Sequence, residues 1–215
     1  MSRVPLIKPE NNDDPIINEM FAWVTEVEGD VPNHFYIEMN FPEHFKAKMG
    51  ATQVLWQMGE MSMPEIQHVG IAVSQANSCQ YCTAAFCTIL NYGLGADEDK
   101  IKEFLNEGSN VIDDPRTKTI VDFALKVNAD AHAITDDDIT RLRDIGLGDK
   151  GIVQLVHLVS DFASYNRLNT ALQTDYDYRD MWRAVAFNWT RKEGEAVGDN
   201  TRGLRIDPSE HIGGA

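Results

Sequence analysis

Residues 78–90 read SCQYCTAAFCTIL. Cys79 and Cys82 stand three apart in an apolar, alanine-containing stretch, and Cys87 follows. The surrounding pattern predicts a helix over 79–93, with Ser78 or Asn77 as its cap and Gly93 as its stop. A cysteine in the first turn of a helix meets free N–H groups and the positive end of the macrodipole, and both favour its thiolate. A second cysteine one turn on is close enough to form a disulfide with it. Such a pair suits thiol–disulfide exchange, in which one sulfur attacks and the other resolves the sulfenic acid or mixed disulfide. The helix start favours Cys79 for exchange with a reductant, while a peroxide could be met by Cys82. Two other readings stand beside this one. A structural zinc takes four ligands, and the chain offers a single CxxC and no HxxxH, which argues against metal. Free cysteines are also common core residues. Cys87, roughly 140° around the helix from Cys82, is read as core.

The rest of the chain sets bounds. Its 215 residues suffice for one good-sized core. Acidic residues outnumber basic ones 34 to 19, for a net charge of -15. Such a surface repels nucleic acid, whose binding needs lysine and arginine against phosphates. Apolar runs such as IVQLVHLV fall far short of a membrane span, so no membrane partner is expected. The segment MSRVPLIKPENNDD lacks a secretory pattern, and three cysteines do not suit a disulfide-stapled domain. Both point to the cytoplasm.

Helix signals dominate and no stretch alternates like a strand, so the fold class is all-α. DDPIINEMFAWVTEVEG opens on Asp14 and Pro15 and closes at Gly29. PEHFKAKMGATQVLWQMG, MPEIQHVGIAVSQA, DEDKIKEFLNEG and DPRTKTIVDFALKVNAD are further helices. TDDDITRLRDIGLG starts with a Thr135/Asp138 capping box, and the stretch from Asp149 to Leu172 is the longest helix. The divisions expected are an N-terminal helical segment over 1–31, a helical domain carrying the CxxC over 32–174, and a C-terminal helix with an extended tail over 175–215.

The stretch IAVSQANSCQYCTAAFCTILNYGL resembles the carboxymuconolactone decarboxylase and alkylhydroperoxidase D-like superfamily, whose redox members carry S..N.C.YC...H before a glycine. Ser74, Asn77, Cys79, Tyr81, Cys82 and Gly93 match. FPEHFKAKMGATQVLWQMGEMSMPEI before it, and the later stretch with Asn166-Arg167, resemble the peroxidase-related branch. The resemblance implies an oligomeric helical bundle, often a trimer or hexamer (a dimer is also open). It also implies reduction of hydroperoxides by the Cys79/Cys82 pair, with a small-molecule peroxide or thiol as substrate and no cofactor. The family places a glutamate twelve residues before the first cysteine and a histidine four after the second. Here those positions hold Gln67 and Phe86. Gln67 takes no proton at neutral pH, so activity is expected to be weakened. Glu65 should face away from that position. His68 is the nearest substitute, and His157, read as buried in the long helix, is a further candidate for the proton relay. His34, His44, His132 and His211 read as surface residues. The alternatives are a non-catalytic scaffold or small-molecule binder, or a different enzyme using a pocket near Gln67 and His68. Finally, the apolar cysteine helix, the long helix and the arm with Trp182 and Trp189 suggest a homo-oligomer in which the arm covers a neighbour; the alternative is an arm that folds back on its own chain and buries the same tryptophans.

Overall fold

The computed structural model describes residues 1–8, 13–179 and 182. Among them the regular structure is helical, with no strand. The α-helices are α1 Pro15–Glu28, α2 Asn33–Glu38, α3 Pro42–Gln57, α4 Met63–Ala76, α5 Gln80–Thr88, α6 Glu98–Glu107, α7 Pro115–Ala129, α8 Asp136–Asp144 and α9 Asp149–Leu172. Local chemistry explains most boundaries. Asp14 caps α1 by accepting from the Ile16 N–H, Pro15 occupies the first turn, and Gly29 closes it at φ 89°. Ser62 and Glu65 form a capping box on α4, as Thr135 and Asp138 do on α8. The six-residue α2 has no side-chain cap and is the helix that pattern reading does not find.

α4 lies at the centre and packs against α5, α7 and α9. Its Ile66, Val69, Ile71, Ala72 and Val73 are buried all around the helix. Where α4 crosses α5, Gly70 leaves room for the ring of Phe86; a Cβ there would sit 2.6 Å from that ring. A smaller cluster, including Ile17, Met20, Val24, Phe35, Phe45 and Met49, joins α1 to α2 and α3.

Two expectations change here. The cysteine helix needs no outside cover, since Gln80 to Ala84 and Phe86 to Thr88 are buried by the chain itself. The described part of the C-terminal arm folds back on its own chain, and Tyr176, Tyr178 and Trp182 join the main core. Trp189 and the rest of the tail lie outside the described residues. Gln173 turns the chain out of α9 at φ 49°. The following strap is held by the N-terminal segment: the Arg3 N–H donates to the Leu172 carbonyl at 2.8 Å, and the Asp175 N–H to Ser2 Oγ at 2.9 Å. Val153 and Val156 of α9 remain exposed.

Gly70→Ala should destabilise the fold by about 1–3 kcal/mol through overpacking against Phe86. Chemical denaturation measures this, and most of the loss should vanish in a Gly70→Ala, Phe86→Leu double variant.

Candidate active site

The site begins with a break between two helices. α4 ends at Ala76 with Asn77 as its cap, and Ser78 takes a left-handed conformation at φ 55°, uncommon for a residue with a side chain. The chain then re-enters helix with Cys79 itself as the cap, in place of the expected Ser78 or Asn77. The Cys79 sulfur accepts the Cys82 N–H at 3.4 Å. A polar clamp fixes this break. Asn166 of α9 donates to Ser74 Oγ at 2.9 Å and accepts from the Asn77 amide at 2.9 Å. Asn77 and Asn128 of α7 exchange two further hydrogen bonds, at 3.1 and 3.0 Å. Ser74 and Asn77 of the sequence motif therefore position the turn.

Both thiols are free and shielded, with Cys79 2% and Cys82 5% exposed. Their protons are held unequally. Hydrogen bonding from the Cys82 thiol, against the cost of burial, lowers the Cys79 pKa. Burial, reinforced by donation to Cys79, raises the Cys82 thiol well above its ordinary value. Cys79 is the preferred thiolate and Cys82 the thiol that supports it. Burial likewise raises Cys87, which is 0% exposed.

Cys82 faces a cavity of about 60 Å³ between α1, α2, α3, α5, α9 and the strap. That is room for about four waters, at roughly 10–15 Å³ for each. Trp23, Phe35, Trp56, Phe86 and Phe162 give it aromatic walls, and Glu28, His34, Thr52, Tyr81 and Asn169 supply polar groups. The indole N–H of Trp56 is buried without a hydrogen-bond partner among the described residues. The five-residue π-helix Ile89–Gly93, ending at the expected glycine, follows α5 and places Ile89 in the wall.

Asn169 joins the polar groups. Thr174 donates to its Oδ1 at 2.6 Å. Its amide nitrogen lies 3.3 Å from the Cys82 sulfur and 3.2 Å from His34 Nδ1. That makes Nδ1 an acceptor and leaves the imidazole proton on Nε2. Tyr81, the motif tyrosine, accepts the His34 N–H at 3.0 Å and donates to Asp177 Oδ1 at 2.7 Å. It thereby ties α2 and the strap across the cavity.

The expected relay does not assemble. His157 is exposed on the outer face of α9, not buried as its apolar neighbours suggested. His68 bonds through Nδ1 to the Pro64 carbonyl of its own helix at 2.7 Å and packs on Phe104. Gln67 is fully buried, yet neither amide atom has a hydrogen-bond partner among the described residues. Glu65 faces away as expected, holding Arg116 Nε at 2.6 Å. The histidine that does reach the sulfurs' surroundings is His34, expected at the surface but only 9% exposed. Its ring packs edge-on against Tyr165 at 5.0 Å. Its flanking Phe35 and Ile37, both buried, were the available signal.

Two stability measurements follow. Burial lowers His34 from 6.5 to about 3. A depressed histidine contributes stability above its unfolded pKa, and acidification removes it at up to about 1.4 kcal/mol per pH unit. The stability difference between wild type and His34→Gln should be constant above pH 7 and shrink from pH 6.5 toward 3. Gln67→Met, which removes two unpaired buried polar atoms at similar volume, should stabilise the protein by about 1–3 kcal/mol in urea titrations.

No family model and no curated protein matches the chain. Solved structures do. A peroxidase-related protein from Ralstonia eutropha JMP134, described as an alkylhydroperoxidase AhpD core, superposes with a TM-score of 0.71 at 24% identity, over 86% of this chain and 96% of its own. A peroxidase-related protein from Silicibacter sp. TM1040 gives 0.71 at 20% identity, over 86% and 95%. The debrominase Bmp8, as a cysteine-to-alanine variant in complex with 2,3,4-tribromopyrrole, gives 0.69 at 16% identity, over 86% and 97%. These likenesses, together with the helix order and the CxxC turn, show that the chain has the alkylhydroperoxidase D-like fold.

Proposed function

We propose that the protein is a thiol-dependent oxidoreductase that reduces small hydroperoxides through Cys79 and Cys82. The observation that carries this reading is that Cys82 lines an apolar cavity while its partner, Cys79, caps the same helix. The reaction begins with transfer of the Cys82 proton to the Cys79 thiolate. The Cys82 thiolate attacks the terminal oxygen of the peroxide, the O–O bond breaks, and an alkoxide leaves and is protonated to the alcohol. Cys79 then attacks the Cys82 sulfenic acid, and its proton leaves with the hydroxyl as water. Sulfur is oxidised and peroxide reduced, and an external dithiol restores the pair.

Asn169 is assigned the task of steadying the Cys82 thiolate through its 3.3 Å contact. Gln67 and His68 are left as helix-packing residues in this scheme. The aromatic walls favour a second substrate class on the same cysteine, a small halogenated ring, in line with the bromopyrrole bound by the debrominase of similar fold. Assembly as a homo-oligomer is supported by exposed Val54 on α3, Met58 at its cap, and Val153 and Val156 on α9.

Stoichiometric tert-butyl hydroperoxide should cost wild type two thiols, with a loss of two hydrogens mapped to the Cys79–Cys82 peptide by mass spectrometry. Cys82→Ser should stop peroxide consumption. Cys79→Ser, which removes both the base and the resolving thiol, should slow oxidation of Cys82 and leave the sulfenic acid that does form open to dimedone. Retention of both alkylatable thiols in wild type after treatment would refute the proposal.

A further inference from the structure

Among the described residues lining the Cys82 cavity, Glu28 is the one carboxyl group. It is the last residue of α1, and the Tyr178 hydroxyl donates to its Oε2 at 2.5 Å. Glu28 and Tyr178 also line a second, more polar hollow with Asn91, Asp177 and Arg179. The pair thus forms the wall between the buried sulfur chamber and that hollow. From this placement we infer that Glu28 is the proton donor of the peroxide chemistry, delivering a proton to the leaving alkoxide and recovering it from the second hollow. The inference rests on the peroxidase reading above.

The proton count supports the role. Burial, partly opposed by the Tyr178 hydrogen bond and reinforced by the charge of Asp177, raises Glu28 to about 8. Glu28 therefore carries its proton near neutrality. The reactive form of the site holds a Cys79 thiolate, a Cys82 thiol and protonated Glu28, Cys79 being the sulfur whose thiolate is favoured. After proton transfer to Cys79 and attack by Cys82, the alkoxide takes the Glu28 proton, leaving a carboxylate. Disulfide formation then releases water with the proton from Cys79. One negative charge is present at the start and at the end, moved from sulfur to carboxylate. The neighbouring titratable and charged groups are Tyr178, Asp177 and Arg179 of the strap, Tyr92 of the π-turn, Tyr81 of α5 and His34 of α2. His34 is unsuited to donate at this pH, because burial holds its imidazole neutral.

Pre-steady-state oxidation of the Cys82 thiol tests the role, measured against pH with tert-butyl hydroperoxide and with a peracid whose carboxylate leaves without help. Wild type should show a falling limb near pH 8. Glu28→Gln keeps the size and neutrality of the acid. It should lose that limb and react about 10²-fold more slowly with the alkyl hydroperoxide, with little change for the peracid. Tyr178→Phe removes a bond that favours the carboxylate, so its limb should move to higher pH. An equal loss with both oxidants in Glu28→Gln would mean a structural role and overturn the inference, as would an unchanged rate and limb. A wild type inert to both oxidants would overturn the peroxidase reading as well. If Glu28→Gln fails to fold, the direction of the Tyr178→Phe limb decides, with an unmoved limb refuting the role.

Discussion

The structure depends on a clamp of neutral polar side chains where three helices meet. Ser74 of α4, its cap Asn77, Asn128 of α7 and Asn166 of α9 satisfy one another through hydrogen bonds of 2.9–3.1 Å. A buried amide left unpaired costs about 1–3 kcal/mol, so this arrangement selects one rotation and one height for each helix. The left-handed turn at Ser78 is set immediately beyond it. That turn makes Cys79 a cap and sends Cys82 toward the cavity. Removing the clamp would leave the helices their apolar packing but release the register that aims the sulfurs.

Within the cavity, the titratable groups share one property. Burial lowers His34 to about 3 and raises Glu28 to about 8. It also raises the Cys82 thiol and the phenols of Tyr81, Tyr165 and Tyr178. Near pH 7 every one of them is uncharged. A chamber without fixed charge and with aromatic walls favours a neutral guest over an ion, because an ion would give up its hydration without a counter-charge. Negative charge is favoured on the Cys79 side instead, where the neighbouring thiol and the backbone N–H groups lower the pKa of that sulfur.

Much of the fold was readable because helix ends carry local chemistry. Pro15, Pro64 and Pro115, the Thr135/Asp138 box and Gly29 mark boundaries without reference to anything distant. The CxxC and its place at a helix start were equally legible. What escaped reading depends on contacts far apart in sequence. His34 follows Pro32 and Asn33 and looks solvated, yet Tyr165 and Asn169 enclose it. His157 sits among apolar residues, but Val153 and Val156 face outward with it. Glu28 and Tyr178 lie 150 positions apart, and no local pattern joins them. The cap was misplaced because a left-handed serine gives no signal in its side chain.

Cys87 is the thiol that the chemistry leaves over. It is fully enclosed in the main core, and burial suppresses its thiolate. A bulky alkylating reagent reaches such a sulfur only when the core itself opens. Its labelling rate therefore follows the opening of the core, whereas Cys82 is addressed through its own cavity. The chain thus carries an internal clock for breathing of the native state, separate from turnover and requiring no introduced cysteine.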